Sequence, residues 1–182
     1  MRRVAVLSTC VVAGSLLCPS SALAAEDDSG GADHRWIAVE DEFAIVLPDG
    51  QTFTEDAPPP EEEESIPIGA RLFISEALYA TEDGETAGDE IGRTHVECTA
   101  QVVADNLLCD IVWVFDEGGQ LHGSVHVDFS AEPEGEDLSF DIAVTGGTED
   151  WSGAAGTVTL TDTTDAEDPE AETTTLYESN LE

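Results

Sequence analysis

The sequence has no lysine, one methionine, two tyrosines and only five arginines. Against those arginines stand 41 aspartates and glutamates, so the formal net charge is −36. A surface so uniformly negative repels nucleic acid and anionic membranes, which excludes both as partners. The acids lack calcium-loop spacing. Most are scattered or run together, as in Glu61–Glu64, and read as solvated surface. No Ser-His-Asp arrangement, nucleotide-binding glycine loop or Cys-x-x-Cys pair is present. His122 and His126 share one face of a strand, but residues four apart on a strand are about 13 Å apart, too far to share a metal. No metal or cofactor is expected.

Long apolar runs are also scarce. The one unbroken run, Val4 to Leu17, follows Arg2 and Arg3 and precedes Ala22-Leu23-Ala24. Positive start, short apolar stretch and small-x-small site, in that order, predict a secretory signal over residues 1–24, too short to span a bilayer. The mature protein is then secreted, with no membrane association after signal removal. Of four cysteines, Cys98 and Cys109 remain. Two cysteines outside the cytoplasm on a predicted hairpin point to one disulfide, with two buried thiols as the alternative.

What is present reads as β-structure. Residues 25–35 form a polar, Gly-rich leader. Trp36 to Leu47 reads as a strand, part of an N-terminal strand or lid segment over 36–54. Residues 55–68, with four prolines and four consecutive glutamates, read as an acidic linker. Residues 69–182 then carry strands near 70–80, 90–103, 107–115, 120–130, 138–145, 156–163 and 173–181, separated by turns such as Glu117-Gly118-Gly119 and Gly146-Gly147. No segment after the signal keeps a helical period. With the Trp36 strand there are eight, enough to close an antiparallel β-barrel that holds one small ligand. Leu107 to Phe115 is apolar on both faces. One face must line the interior. The other must meet a second layer, the N-terminal segment or another subunit, which leaves a homodimer open.

At Ala143 to Leu160 the sequence reads AVTGGTEDWSGAAGTVTL. This resembles the glycine-rich turn and following strand of plant allene oxide cyclases, and the GGTG turn of dirigent proteins. Ile91-Gly92 with Cys98 and the strand Leu72 to Leu78 (LFISEAL) resemble further cyclase elements. Gly119 to Phe129 (GQLHGSVHVDF) is similar to a strand of bacterial spirotetronate and spirotetramate [4+2] cyclases. The third glycine of GGTG is Glu149 here, and the arginine that dirigents place in the next strand matches Ala155. The resemblance implies an allene oxide cyclase-like barrel. It implies a cofactor-free cyclase that folds a linear polyketide-like substrate into one reactive shape, most concretely for an intramolecular [4+2] closure. The alternatives are a secreted dirigent-like or lipid-binding protein and, third, an allene-oxide-type isomerase.

Glu76 is the candidate catalytic residue. It shares a strand face with Ile74 and Leu78, and the resemblance puts an acid at this place. Facing inward, its carboxyl is desolvated and its pKa raised. In the opposite register it is one more surface acid. Ile74, Leu78, Cys98, Trp113, Phe115 and Tyr177 are candidate substrate contacts around an apolar small molecule, and Trp36 belongs to the lid.

Overall fold

The computed structural model describes residues 34–54, 56–58, 66–102, 106–128, 138–165 and 171–182. The expected signal, most of the leader and the Glu61–Glu64 run lie outside the described residues. Nine strands form one antiparallel sheet: β1 (Arg35–Val46), β2 (Thr52–Thr54), β3 (Arg71–Ala80), β4 (Glu90–Ala100), β5 (Asn106–Phe115), β6 (Gly119–Asp128), β7 (Ser139–Gly147), β8 (Gly156–Asp162) and β9 (Thr174–Leu181). The order is β2-β1-β3-β4-β5-β6-β7-β8-β9, and β1 also pairs with β9. That last pairing closes eight strands into a barrel, leaving β2 as one extra strand.

Closure depends on a change of partner within β1. Arg35 to Val39 bond to Glu178–Thr174 on one edge and to β3 on the other. The register then shifts between Glu40 and Glu42, and Ala44 to Val46 take β2 in place of β9. A bulge bends the bulged strand and increases its twist, which is how one strand serves two neighbours in succession. Asp41, at the bulge, is ion-paired with Arg93 of β4 on the outer surface.

The expected lid is therefore a wall. Trp36 to Val46 runs within the barrel, hydrogen-bonded on both edges. This also explains its near-continuous apolar text. Trp36 and Ala38 face inward. Ile37, facing outward, is still only 6% exposed, because it stands in register with Leu176 and Tyr79 where the β3–β4 connection folds back over the outer face. The other strands fall within a few residues of their expected bounds. The short β2 and a 3-10 turn over Glu149–Trp151 have too few residues to show a periodicity and were not expected.

Alternation sorts the side chains. Leu72, Leu78, Ile111, Trp113, Leu121, Ile142 and Val158 point inward and are buried. Leu108, on the outer face of β5, is 45% exposed, so neither the N-terminal strand nor another element covers that position. One end of the barrel is closed by aromatic rings. Trp36, Phe115 and Trp151 lie within 4.8–5.9 Å of one another by ring centroid, and His34 stacks on Trp36. Trp151 reaches this plug because Gly147 has no side chain: a Cβ there would lie 2.6 Å from that of Trp151. Cys98 and Cys109, directly opposite each other on β4 and β5, are joined by a disulfide toward the other end.

The centre of the barrel is packed without slack. Trp113 and Leu121 have no exposed surface, and a Cβ at Gly123 would lie 2.6 Å from Ile142 Cγ2 and 3.1 Å from the Trp113 ring. Added volume in such a site forces side chains off their rotamers. Gly123→Ala is expected to destabilise the fold by about 1–3 kcal/mol, read as a lower guanidinium midpoint. An unchanged midpoint would show that the centre has room.

Candidate functional site

Glu76 faces inward in the middle of β3. Its register partners are Glu40 on β1 and Thr94 on β4, and Thr94 in turn faces Trp113 on β5. One rung across four strands thus carries Glu40, Glu76, Thr94 and Trp113. Glu76 is 4% exposed and accepts a hydrogen bond of 2.9 Å from the hydroxyl of Tyr177 on β9. Thr175, two residues earlier on the same face of β9, also hydrogen-bonds to it. The Tyr177 ring meets that of Trp113 edge-on at 5.5 Å.

Burial raises the Glu76 carboxyl to about 7, with the nearby charges of Glu40 and Asp41 adding to the effect and the bonds from Tyr177 and Thr175 opposing it. The Tyr177 hydroxyl is pushed well above its usual value by burial and by the adjacent acid, so it stays protonated and remains a donor. At neutral pH the site therefore holds a carboxyl group poised between its two forms. Tyr177 and Thr175 already donate to it. When Glu76 is protonated, its own proton is the donor left for a ligand.

Above this rung the interior is less tightly closed. Phe43, Ile45, Val96, Val125, Phe140 and Leu160 are only partly buried while packing against the core. Ile74 is likewise half-buried. Half-buried apolar side chains occur at the plugged end as well, Ile91 and Trp151 among them, while Leu72, Cys98, Leu107 and Cys109 toward the disulfide are buried.

The structure brings five of the candidate residues together and separates two. Glu76, Ile74, Leu78, Trp113 and Tyr177 meet around the central rung, and Cys98 faces inward further along β4, in the disulfide. Trp36 and Phe115 lie instead in the aromatic plug at the opposite end. Both are placed there by strand geometry, since Trp36 precedes Glu40 by four residues and Phe115 follows Trp113 by two. Thr94, Thr175 and Trp151 were not anticipated. Thr175 carries a readable signal, its i, i+2 relation to Tyr177. Thr94 has none without the strand register.

An open groove of about 710 Å³ lies along the wall, lined by the outward Glu42, Phe73, Ser75 and His95 and also by Ile74 and Val96. In it His95 Nδ1 is 3.4 Å from Ser75 Oγ. These two residues are on the opposite face of the sheet from Glu76. Among the described residues no cluster of three His, Cys, Asp or Glu side chains is arranged to hold a metal ion.

No known protein-family profile matches the sequence, and no curated protein is similar to it. Solved structures are. The pterocarpan synthase dirigent protein PsPTS1 superposes with a TM-score of 0.56 at 15% identity, over 82% of this chain and 93% of that one. The fold is the dirigent-type, allene oxide cyclase-like barrel. The dirigent protein GePTS1 agrees, with a TM-score of 0.54 at 16% identity over 82% of this chain and 87% of that one. The Diels-Alderase AbmU from Streptomyces koyangensis gives a TM-score of 0.47 at 15% identity, over 82% of this chain and 63% of that one.

The raised Glu76 carboxyl has a consequence for stability. The folded group keeps its proton up to about pH 7, whereas the unfolded group releases it near 4.5. The folded state thus binds the extra proton between those values, and stability from this group falls as pH rises through them. The full loss is about 3 kcal/mol. Glu76→Gln keeps an oxygen for Tyr177 and removes the titration. Its stability relative to wild type is expected to rise between pH 5 and pH 8, measured by guanidinium unfolding at both. A difference independent of pH would mean that the carboxyl titrates normally.

Proposed function

We propose that this chain is a cofactor-free cyclase. It folds a linear, largely apolar, polyketide-like molecule in the barrel and directs stereoselective ring closure, most concretely an intramolecular [4+2] closure that forms a spiro-linked ring. The observation that carries the reading is a carboxyl group buried inside the barrel, held by two hydroxyl donors and poised near neutrality below a looser apolar section.

Such a reaction needs no nucleophile. Holding a flexible chain in a near-attack shape contributes up to about 7–11 kcal/mol in ideal cases. A protonated Glu76 donating to a carbonyl on the dienophile lowers the barrier further, by the same logic as an oxyanion-hole donor. Ile74, half-buried, supplies apolar surface against which the chain is shaped, with Leu78 and Trp113 packed behind it. The runner-up is a secreted dirigent-like or lipid-binding protein that holds its ligand without accelerating any bond. It is favoured by the sealed packing around Trp113, which leaves the centre little space for a reacting chain.

The test is a linear triene bearing a terminal enone, incubated with the purified protein, with ring-closed product resolved by chiral chromatography and mass spectrometry. The cyclase reading expects one dominant stereoisomer, formed faster than in buffer, and a loss of about 10²–10³-fold in rate for Glu76→Gln. Stereochemical bias at the uncatalysed rate supports the template reading. Racemic product at the buffer rate removes the cyclase.

A further inference from the structure

The polar groups that face the barrel interior share one property. Among the described residues they donate hydrogen bonds or carry negative charge, and none is an arginine or lysine. The chain has no lysine. The three described arginines stand outside the barrel, each ion-paired there: Arg35 with Glu178, Arg71 with Glu97 and Arg93 with Asp41. His95 and His122 share an outward-facing row of the wall, His126 is exposed, and His34 belongs to the aromatic plug. On the inward face, Glu40 and Glu76 are adjacent in register.

On the same rung are two buried donors with no hydrogen-bond partner, Thr94 Oγ1 and Trp113 Nε1. Both residues have no exposed surface. Leaving buried donors unmade is costly, and native proteins rarely do so without a reason. An indole nitrogen can only donate. What satisfies this pair is therefore an acceptor. A carboxylate is an acceptor too, but it would bring a further negative charge beside Glu76, which is ionised above about pH 7, out of water. A carbonyl oxygen brings acceptor lone pairs without that charge.

We propose that the barrel interior selects a molecule whose polar end is an uncharged carbonyl, and rejects the same molecule ending in a carboxylate, with Thr94 and Trp113 as the donors that read it. This deepens the cyclase reading and rests on it in one respect, that the ligand enters the barrel. It sets the protein apart from a carrier of free fatty acids. Because both donors are sealed in the ligand-free structure, they reach the ligand only when the half-buried side chains above them, Ile74 and Val96 foremost, give way.

The experiment compares all-trans-retinal with all-trans-retinoic acid at pH 8, by quenching of tryptophan fluorescence. The two probes share one polyene and differ in the terminal group, and the absence of lysine removes imine formation on a side-chain amine. Retinal is expected to bind at least tenfold more tightly. Thr94→Val and, read by retinal absorbance, Trp113→Phe are each expected to weaken retinal several-fold while changing retinoic acid little. Val96→Phe, which narrows the interior, is expected to weaken retinal; all three variants are checked for native circular dichroism. Equal or tighter binding of retinoic acid overturns the selectivity while leaving an interior site standing. Retinal binding that ignores Val96→Phe places the ligand outside the barrel and overturns the inference. Failure of both probes to bind overturns it together with the interior-ligand reading.

Discussion

The hydrogen bond from Tyr177 to Glu76 organises this molecule. It joins β9 to β3 across the interior, passing behind β1, the strand whose pairing with both of them closes the barrel. A buried carboxyl is expensive unless it is protonated or well bonded. Here it is bonded by two hydroxyls and raised toward neutrality, so the cost is reduced from both directions. Trp113 packs edge-on against the same tyrosine, and Gly123 leaves room for that indole. The polar rung and the tightest part of the core are thus one unit. A change to either the acid or the packing is felt by the other.

The two ends of the barrel are built for different tasks. The end near Trp36, Phe115 and Trp151 is a stack of rings, and its stiffness follows from the glycine turn that lets the Glu149–Trp151 segment fold back. The other end holds the disulfide, with Leu72, Ala100, Leu107 and Val127 buried toward it and Phe43, Ile45, Val125 and Phe140 half-buried. The three external ion pairs hold the described arginines on the outer face, while the net charge of −36 keeps the surface hydrated. The dirigent proteins share the fold at about 15% identity, which carries the architecture across and leaves the chemistry to the particular side chains inside.

Most of the architecture was legible in the sequence because strands separated by polar turns leave a clear record. The eight barrel strands fall near their expected bounds, whereas the alternation of Ile74, Glu76 and Leu78 left open whether that face points inward. The role of Trp36–Val46 was harder to read. A strand apolar on both faces looks alike whether it lies over a barrel or forms part of it, and only the pairing with β9 decides. Register was the other obstacle. Thr94 and Trp113 meet Glu76 because β3, β4 and β5 align at one rung, and no spacing along the chain records such an alignment. Trp36 and Phe115 look like ligand contacts by residue type, yet strand length carries them to the plugged end. Trp151, on a single 3-10 turn, leaves no periodic trace at all.

The account rests on an acid that is protonated inside a closed barrel near neutral pH. The most direct measurement is the titration of the Glu76 side-chain carboxyl carbon by NMR, assigned against Glu76→Gln. A midpoint near 7 is predicted, well above the ordinary glutamate value of 4.5. A midpoint near 4.5 would mean that Glu76 is ionised and hydrated at neutral pH, and would contradict the buried donor on which the site is built.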